Sequence, residues 1–325
     1  KMALIKLNTR SIPDNAVTPA KVSVKHLGRR NLLINGAMQI WQRGTSFTGS
    51  NSYTADRWLT DTAGAHTRST DTPAPFDYSI KLNPSSGNAV LRQAIELSAA
   101  GEGGIFQSGQ QFTLSFWLKS SAGGEGINVF IASSTTVAGA TTQMASAIGI
   151  ATTTTGWVKY TYTFTQSVAV GSNDTCYNIV PYVVAPSGDI YITGIQFETG
   201  SVATDFERRL VGEELSLCQR YFEKSYKQAV TPGTLTVDGM VMWLSNRNPG
   251  SPHMGLRFIA TKRTSPTVVI ANPVESGTTL RNLDGPANYA STANRMGETG
   301  CTVYTATSVA IGNFICYHYT ADAEF

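Results

Sequence analysis

Alternation of apolar and polar residues dominates the pattern along the chain. The stretch FTLSFWLK (112–119) places its two phenylalanines and two leucines on one face, and Trp117 falls among the polar residues of the other face. The stretch WVKYTYTFT (157–165) repeats this arrangement, again with Trp157 on the polar face. A period of two residues is typical of a β-strand with one buried face. Both stretches are therefore predicted to be half-buried strands.

Similar apolar runs recur along the chain, separated by clusters that favour loops. NIVPYVVA and DIYITGIQF predict two further strands, while SSAGGEG and APSGD have the composition of loops. A second β-rich part follows Tyr226, with the runs MVMWL, MGLRFI, TVVIA, CTVYTAT and NFICYHYTADAEF. Short strands at this spacing favour antiparallel sandwiches.

One segment has a helical period instead. The run EELSLCQRYFEKSY (213–226) places Leu215, Cys218 and Phe222 on one stripe, with two acids at its start and a lysine near its end. This spacing predicts an amphipathic helix whose charges suit its dipole. We expect the stripe to be buried between copies of the chain in an oligomer.

Together these patterns predict an all-β protein with two antiparallel, jelly-roll-like β-sandwich domains joined by one amphipathic helix. Residues 1–30 contain two prolines and few apolar residues, so we expect an extended N-terminal arm. The first sandwich is expected at 31–205, the connecting helix at 206–226 and the second sandwich at 227–325.

Charge is unevenly distributed along the chain. The net charge is +3, yet the first 30 residues hold seven Lys or Arg and one acid, which leaves 18 basic and 21 acidic residues in the rest. The body is therefore not expected to bind nucleic acid, whereas the arm is either a dock for an acidic partner surface or simply solvated. The apolar runs are far shorter than the roughly 20 residues of a membrane-spanning helix, so we expect synthesis in the cytoplasm and no membrane insertion.

Residue types that support catalysis are scattered. The four histidines have no ligand spacing, and the four cysteines have no C-x-x-C spacing, so we expect buried thiols and no zinc site. The carboxylate pairs Glu213/Glu214 and Asp322/Glu324 are explained by a helix start and by a chain end that frays or packs. We therefore expect no enzymatic activity and no cofactor.

The tryptophans are more informative. Trp117 and Trp157 form either a platform on which the apolar face of a sugar ring stacks, or a surface covered by a loop or a neighbouring subunit. Trp41 and Trp58 begin the first sandwich and are expected to fill its core or a subunit contact. Arg57, next to an aspartate, is expected to form only a local surface pair.

Five segments of the chain resemble, in order, segments of bacteriophage tail-fibre and related virion fibre proteins. These segments are IPDNAVTPAKV, NLLINGAMQIWQRGTSF, YTADRW, GIQFETGSVATDFERRLVGEELSLCQRYFEKSY and YHYTADAEF. The resemblance spans most of the chain, and the long ungapped fourth segment is its most specific part. NLLINGAMQIWQRG is also similar to the first strand of carbohydrate-binding jelly rolls.

The resemblance implies a homotrimeric structural protein of the virion, assembled in the cytoplasm of the host bacterium. Its N-terminal arm would contact other virion proteins, its residues 31–205 would form a carbohydrate-binding-module-like jelly roll, and it would recognise host cell-surface glycan during adsorption. The chain is short for a complete tail fibre, which leaves tail-fibre, head-fibre and decoration positions open. The alternative is a glycan-degrading depolymerase or an enzyme-associated carbohydrate-binding protein.

Sandwiches of the carbohydrate-binding kind often hold a structural calcium. Asn51, Asp56 and Glu198 are the candidate ligands in this chain, although their spacing matches no complete ligand set, and a folded loop or cap explains each of them as well. The metal content therefore stays unassigned at the level of sequence.

Anchoring through the N-terminus would leave residues 227–325 farthest from the particle, so we expect the receptor-binding domain there. Its polar, turn-rich segments combine aromatic rings with amide and guanidinium donors. The candidate glycan-binding residues in these segments are Trp243, Arg247, His253, Lys262, Arg263, Asn282, Asp284 and Tyr289. If the first sandwich carries the receptor site instead, Trp117 and Trp157 are the better candidates.

Overall fold

The computed structural model describes residues 30–97, 105–136, 141–245 and 253–325, so the predicted arm lies outside the described residues except for Arg30. Within these ranges the regular secondary structure consists of β-strands and one α-helix, which confirms the predicted fold class. No helix in the described part of the chain is long and apolar enough to cross a membrane.

Two six-stranded antiparallel sheets form the first sandwich. Its strands are β1 (Ser46–Thr48), β2 (Ser52–Tyr53), β3 (Leu59–Thr60), β4 (Ala63–Ser69), β5 (Ser79–Ser86), β6 (Ala89–Glu96), β7 (Gln111–Ser120), β8 (Gly126–Ser134), β9 (Thr141–Thr152), β10 (Val158–Thr165), β11 (Cys176–Val183) and β12 (Ile190–Thr199). Sheet I has the strand order β1-β4-β5-β12-β7-β10, and sheet II has the order β2-β3-β6-β11-β8-β9. The chain crosses repeatedly between the two sheets, as in a jelly roll.

The core of the first sandwich lies between these sheets. Phe112, Leu114, Phe116 and Leu118 of β7 are at most 1% exposed, so the strand faces predicted from the alternation are confirmed. Trp58 is fully buried in the same core. Burial of a large apolar side chain contributes about 1.5–3 kcal/mol relative to an exposed position, which makes the slip of a strand by one residue very unfavourable.

The second sandwich is smaller and is also antiparallel. Its strands are β13 (Phe222–Lys224), β14 (Val241–Leu244), β15 (His253–Arg257), β16 (Thr267–Ala271), β17 (Thr279–Asn282), β18 (Asn288–Ala290), β19 (Thr292–Gly297), β20 (Gly300–Tyr304) and β21 (Phe314–Asp322). Sheet III has the order β13-β21-β17-β18, with β14 and β16 also paired to β21, and sheet IV has the order β15-β20-β19. Buried side chains of both sheets form one core cluster.

The helix between the sandwiches is shorter than the predicted range 206–226. Helix α1 spans Val211–Gln219, with Glu213 and Glu214 in its first turn. Phe222 lies in β13, which pairs with the last residues of β21. The backbone hydrogen bonds of this ladder replace those of a continued helix, and the apolar spacing suits both arrangements.

The predicted oligomer stripe does not form an exposed surface. Cys218 is fully buried and Phe222 is 5% exposed within a single chain, while Leu215 is half-buried. The guanidinium of Arg43 lies 3.8 Å from the centre of the Phe222 ring. The predicted interface is therefore wrong for Cys218 and Phe222, because the fold of one chain already covers them.

A buried arginine is central to the contact between the sandwiches. Arg57 is 1% exposed and pairs with the carboxylate of Glu324, which follows β21. Its Nη2 donates a hydrogen bond of 2.6 Å to the carbonyl of Ala94, and its guanidinium carbon lies 3.4 Å from the centre of the Tyr221 ring. The predicted local surface pair is wrong, because this guanidinium is buried and its carboxylate partner comes from the other sandwich.

A second arginine extends this contact. Arg43 lies 3.0 Å from the carboxylate of Asp322 and 3.5 Å from that of Glu324. The ring of Phe325 stacks on Tyr221 with a distance of 6.3 Å between ring centres. We call Arg43, Arg57 and the residues 322–325 the ionic junction. Residues 322–325 are thus packed between the sandwiches.

Glu324→Ala is expected to lower the free energy of unfolding by roughly 3–5 kcal/mol, because it leaves the buried charge of Arg57 uncompensated. Urea unfolding of the purified chain measures this change. The control Lys227→Ala removes an exposed pair with Asp238 and is expected to cost less than about 1 kcal/mol. Equal effects of the two variants would contradict a buried junction.

Candidate functional site

One row of side chains crosses the outer face of sheet I. Tyr191 of β12 lies opposite Lys81 of β5 on one side and opposite Lys119 of β7 on the other. Trp157 immediately precedes β10, and the register of β10 with β7 places it beside Lys119. Side chains alternate across a strand, so these four residues face away from the core. We call Lys81, Tyr191, Lys119 and Trp157 the aromatic row.

The two rings of the aromatic row share one ammonium group. The Nζ of Lys119 lies 5.0 Å from the centre of the Tyr191 ring and 5.9 Å from that of the Trp157 ring. The rings meet edge to face, with 6.4 Å between their centres and 71° between their planes. Attraction between the ammonium and the two π-systems fixes the relative position of the rings. All three side chains are half-buried, so the row remains accessible from solvent.

Asp71 holds one end of the aromatic row. Its Oδ1 accepts a 2.9 Å hydrogen bond from the indole Nε1 of Trp157, and its Oδ2 pairs with the ammonium of Lys119. The hydrogen bond from Lys119 is the main reason that the pKa of Asp71 is lowered, and the indole donor acts in the same direction. The Trp157 ring is thus fixed by a carboxylate as well as by its neighbours.

Asp189 holds the other end of the row. It lies 2.7 Å from the Nζ of Lys81, and it accepts a 2.6 Å hydrogen bond from the side-chain amide of Asn83. The hydrogen bond to Asp189 raises the pKa of Lys81. Each lysine of the row therefore has its own carboxylate, and the row has little net charge.

Trp117 lies deeper on the same face. A Cβ added to Gly194, which has φ +60°, would lie 2.9 Å from the Trp117 ring and 2.5 Å from the ring of Phe76. Both rings therefore pack over this glycine, and any side chain at that position would displace them. Phe76 is buried and packs beside Trp117, so it partly covers that ring. Trp157 lies at the accessible end of this face. The prediction that both tryptophans lie outside the sandwich core is confirmed, and sugar binding by them stays a prediction.

Two residues of the predicted receptor site belong instead to the contact between the sandwiches. Lys262 is 1% exposed, and its Nζ lies 2.5 Å from the carboxylate of Glu223 and donates to the carbonyl of Gln219. Arg263 donates to two backbone carbonyls at 323–324. Their assignment to an exposed tip is wrong, because Lys262 is buried, Arg263 is half-buried, and both donate to acceptors within the contact between the sandwiches.

Three others face the interior of the second sandwich. Trp243 and Asn282 lie on opposite sides of Ile315, which is fully buried, so all three share the inner face of sheet III. Tyr289 packs against the same core. These side chains cannot form an outward platform, because their ladder positions direct them to the core.

The remaining predicted residues do not form one cluster. Asp284 accepts a 2.5 Å hydrogen bond from the backbone N–H of Phe314, which fixes a loop. His253 lies on β15 in sheet IV, where its ring stacks on that of Tyr304. Arg247 lies outside the described residues. The predicted receptor surface in the second sandwich is thus divided among a core, a junction and an outer sheet face.

The candidate calcium ligands do not fit a calcium site. Asp56 is buried and accepts hydrogen bonds from Gln42, and Glu198 accepts from Thr204. Asn51 lies in an exposed turn with φ +54°. No group of three or more His, Cys, Asp or Glu side chains suited to a metal occurs in the described ranges. The carboxylates of Asp56 and Glu198 have protein partners where a metal would need them free.

Sequence reasoning did not select Tyr191 or its lysine neighbours. The available signal was the alternation at the start of DIYITGIQF, in which Tyr191 falls on the same face as Asp189 and Thr193. What brings Tyr191 next to Trp157 is the pairing of β12 with β7, and the sequence contains no local sign of that pairing.

No protein-family model matches the chain, and no curated protein matches it. The CBM22-1 xylan-binding domain of Paenibacillus barcinonensis Xyn10C is 11% identical, with 53% of this chain and 96% of that chain covered and a TM-score of 0.33. The enzymatically active domain of tailspike protein 4 of bacteriophage CBA120 is 16% identical over 52% of this chain and 21% of that chain, with a TM-score of 0.35. A cyclase from Fischerella sp. TAU is 10% identical over 49% of this chain and 90% of that chain, with a TM-score of 0.35.

Lys119→Met is expected to raise the pKa of the Asp71 carboxyl towards its ordinary value of 3.8, because the largest cause of the lowered pKa is removed. A lowered carboxyl pKa contributes stability above about pH 4 that is lost as the pH falls through the folded-state value. Side-chain carboxyl NMR titration measures both proteins. Lys81→Met is the control and should leave Asp71 unchanged. An unchanged Asp71 titration in Lys119→Met would contradict the contact.

Proposed function

We propose that this chain binds carbohydrate through the aromatic row of sheet I. The observation that carries the proposal is the fixed, half-buried edge-to-face pair of Trp157 and Tyr191. A sugar ring presents C–H groups on one face and hydroxyls at its rim, so it can stack on an indole while its hydroxyls meet polar groups nearby. Asp71, Asp189 and Asn83 supply carboxylate and amide groups at the two ends of the row.

Neutral oligosaccharides are the ligands that suit the aromatic row best. Lys119 and Lys81 are each paired with a carboxylate, which leaves no unpaired cation in the row for an acidic group. An acidic sugar would have to displace Asp71 or Asp189 to reach a lysine. Hydroxyl groups can bond to the same carboxylates without breaking either pair.

The strength of one such site supports a multivalent assembly. Covering about 100 Å² of ring surface contributes only about 2.5 kcal/mol, which is less than association usually costs. Several linked sites can raise avidity by about 10² to 10⁴. A homotrimer would present three aromatic rows to a host surface, with an interface that does not use Cys218 or Phe222.

We further propose that the chain is a non-catalytic fibre component of a bacteriophage virion that takes part in host adsorption. The support is the ordered resemblance of its segments to virion fibre proteins and the basic arm at 1–30, which suits attachment to other virion proteins. Asp71 and Asp189 each bond to a lysine, an arrangement suited to fixing ligand-binding groups. Binding without turnover is the activity that this geometry favours.

Trp157→Ala is expected to weaken the binding of neutral oligosaccharides by about tenfold or more, since loss of one stacking surface costs about 1.4 kcal/mol. A glycan array selects the ligand, and calorimetric titration of the full chain gives the dissociation constant. Phe314→Ala is the matched control, because it removes a 39% exposed aromatic ring from the second sandwich. Equal affinity of the two variants, or release of reducing ends from the ligand by the unaltered chain, would contradict the proposal.

The purified chain is expected to have three times its 34.8 kDa mass by light scattering, and an antibody to it is expected to label fibres in electron micrographs of virions. The physical reason is that only a linked set of weak sites gives useful adsorption. A stable monomer at micromolar concentration would contradict the trimer, and unlabelled virions would contradict the virion role.

A further inference from the structure

The outer face of sheet IV contains a groove of about 340 Å³. Gly255, Thr302 and Asn294 lie side by side across its three strands, and Arg257 pairs with Gly300 in the next row. Gly255 and Gly300 place no side chains on the floor of the groove. A Cβ on Gly300 would lie 2.4 Å from a backbone oxygen of the neighbouring strand, so only glycine fits there. The groove is therefore a feature of the backbone as well as of its side chains.

A β-bulge places a second arginine at this groove. Between Asn294 and Gly297 the register of β19 with β20 shifts by one residue. Ala293 and Met296 both pack inward, so the bulge takes up Arg295 as an extra residue and leaves it exposed at the groove. Arg295 has φ +51°, a conformation that costs a non-glycine residue free energy and that is enriched at binding sites.

The two arginines of the groove lack the carboxylate partner that six other arginines of the described ranges have. Within the described ranges neither Arg257 nor Arg295 forms an ion pair, and Glu298, in the turn between β19 and β20, pairs with neither. A carboxylate partner is present for Arg43, Arg57, Arg92, Arg209, Arg220 and Arg281. An unpaired guanidinium retains its planar set of donors, which matches a carboxylate with two parallel hydrogen bonds.

The rest of the face supplies groups suited to a sugar. Counted from the row of Arg257 and Gly300, the second row along the same face contains His253 and Tyr304. Their rings stack with 5.2 Å between their centres and 9° between their planes. Tyr304 lies four positions from Gly300 along β20, which corresponds to about 13 Å, the length of a short oligosaccharide.

We propose that this groove is a second carbohydrate site, specific for an anionic saccharide. The carboxylate of the saccharide lies between Arg257 and Arg295, and a neighbouring sugar ring lies against the His253–Tyr304 pair. The site is chemically distinct from the aromatic row, whose lysines are neutralised. It does not depend on sugar binding by the row.

Calorimetric titration of the full chain with an oligogalacturonate tests this proposal, with the carboxyl-reduced form of the same oligosaccharide and inorganic sulfate as comparison ligands. The acidic oligosaccharide is expected to bind at least about tenfold more tightly than either comparison ligand, and its affinity is expected to fall with added salt. Equal affinity for the reduced form would overturn the carboxylate contact. Equal affinity for sulfate would overturn the saccharide specificity.

Arg295→Gly is the decisive variant, because glycine adopts φ +51° without strain and the fold therefore tolerates the change. It is expected to weaken oligogalacturonate binding about tenfold or more, as is Arg257→Gln. Lys227→Gln, which removes an exposed cation elsewhere, and Trp157→Ala are expected to leave this binding unchanged. Unchanged binding in both arginine variants, or its loss in Trp157→Ala, would overturn the assignment to the groove.

Discussion

The buried guanidinium of Arg57 is the constraint on which the arrangement of the two sandwiches depends. A charge with 1% exposure is tolerated only with a carboxylate and hydrogen-bond acceptors in place, and Arg57 draws the carboxylate from Glu324 and an acceptor from Ala94. These partners come from different sandwiches, so the pairing requires both to be folded and docked. The ionic junction therefore holds the two sandwiches in one arrangement, and with them the aromatic row and the groove.

The two candidate sites use charge in opposite ways. In the aromatic row, Lys119 is neutralised by Asp71 and serves to position two rings, so the exposed chemistry is mainly that of ring faces and hydrogen-bond acceptors. In the groove, Arg257 and Arg295 have no carboxylate partner among the described residues and remain available to a ligand. If both proposals hold, the two surfaces bind neutral and acidic saccharides separately.

Alternation along single strands was sufficient to predict the all-β fold and the outward faces of Trp117 and Trp157, because burial of one strand face is decided locally. The ionic junction was not predictable in this way, since Arg57 and Glu324 are 267 positions apart. The prediction that Lys262 is exposed was wrong because the composition of its loop indicated exposure. Its partner Glu223 comes from β13, which is distant along the chain.

The apolar spacing also gave a wrong prediction where it fits both a helix and a strand. The apolar stripe through Phe222 suited a helix and a strand equally, and the ladder with β21 decided for the strand. The bulge that exposes Arg295 leaves no sequence signal, because the residue there is not a glycine. The features of the candidate sites that could not be predicted arise mainly from strand pairing. Strand pairing depends on contacts between residues that are distant along the chain.

A crystal structure of the full chain with its tightest-binding neutral oligosaccharide tests the central claim most directly. Sugar binding by the aromatic row predicts one sugar ring stacked on the indole of Trp157, near Tyr191, with a hydroxyl bonded to Asp71 or Asp189. An oligosaccharide bound on sheet II or on the second sandwich, with the aromatic row unoccupied, would contradict it.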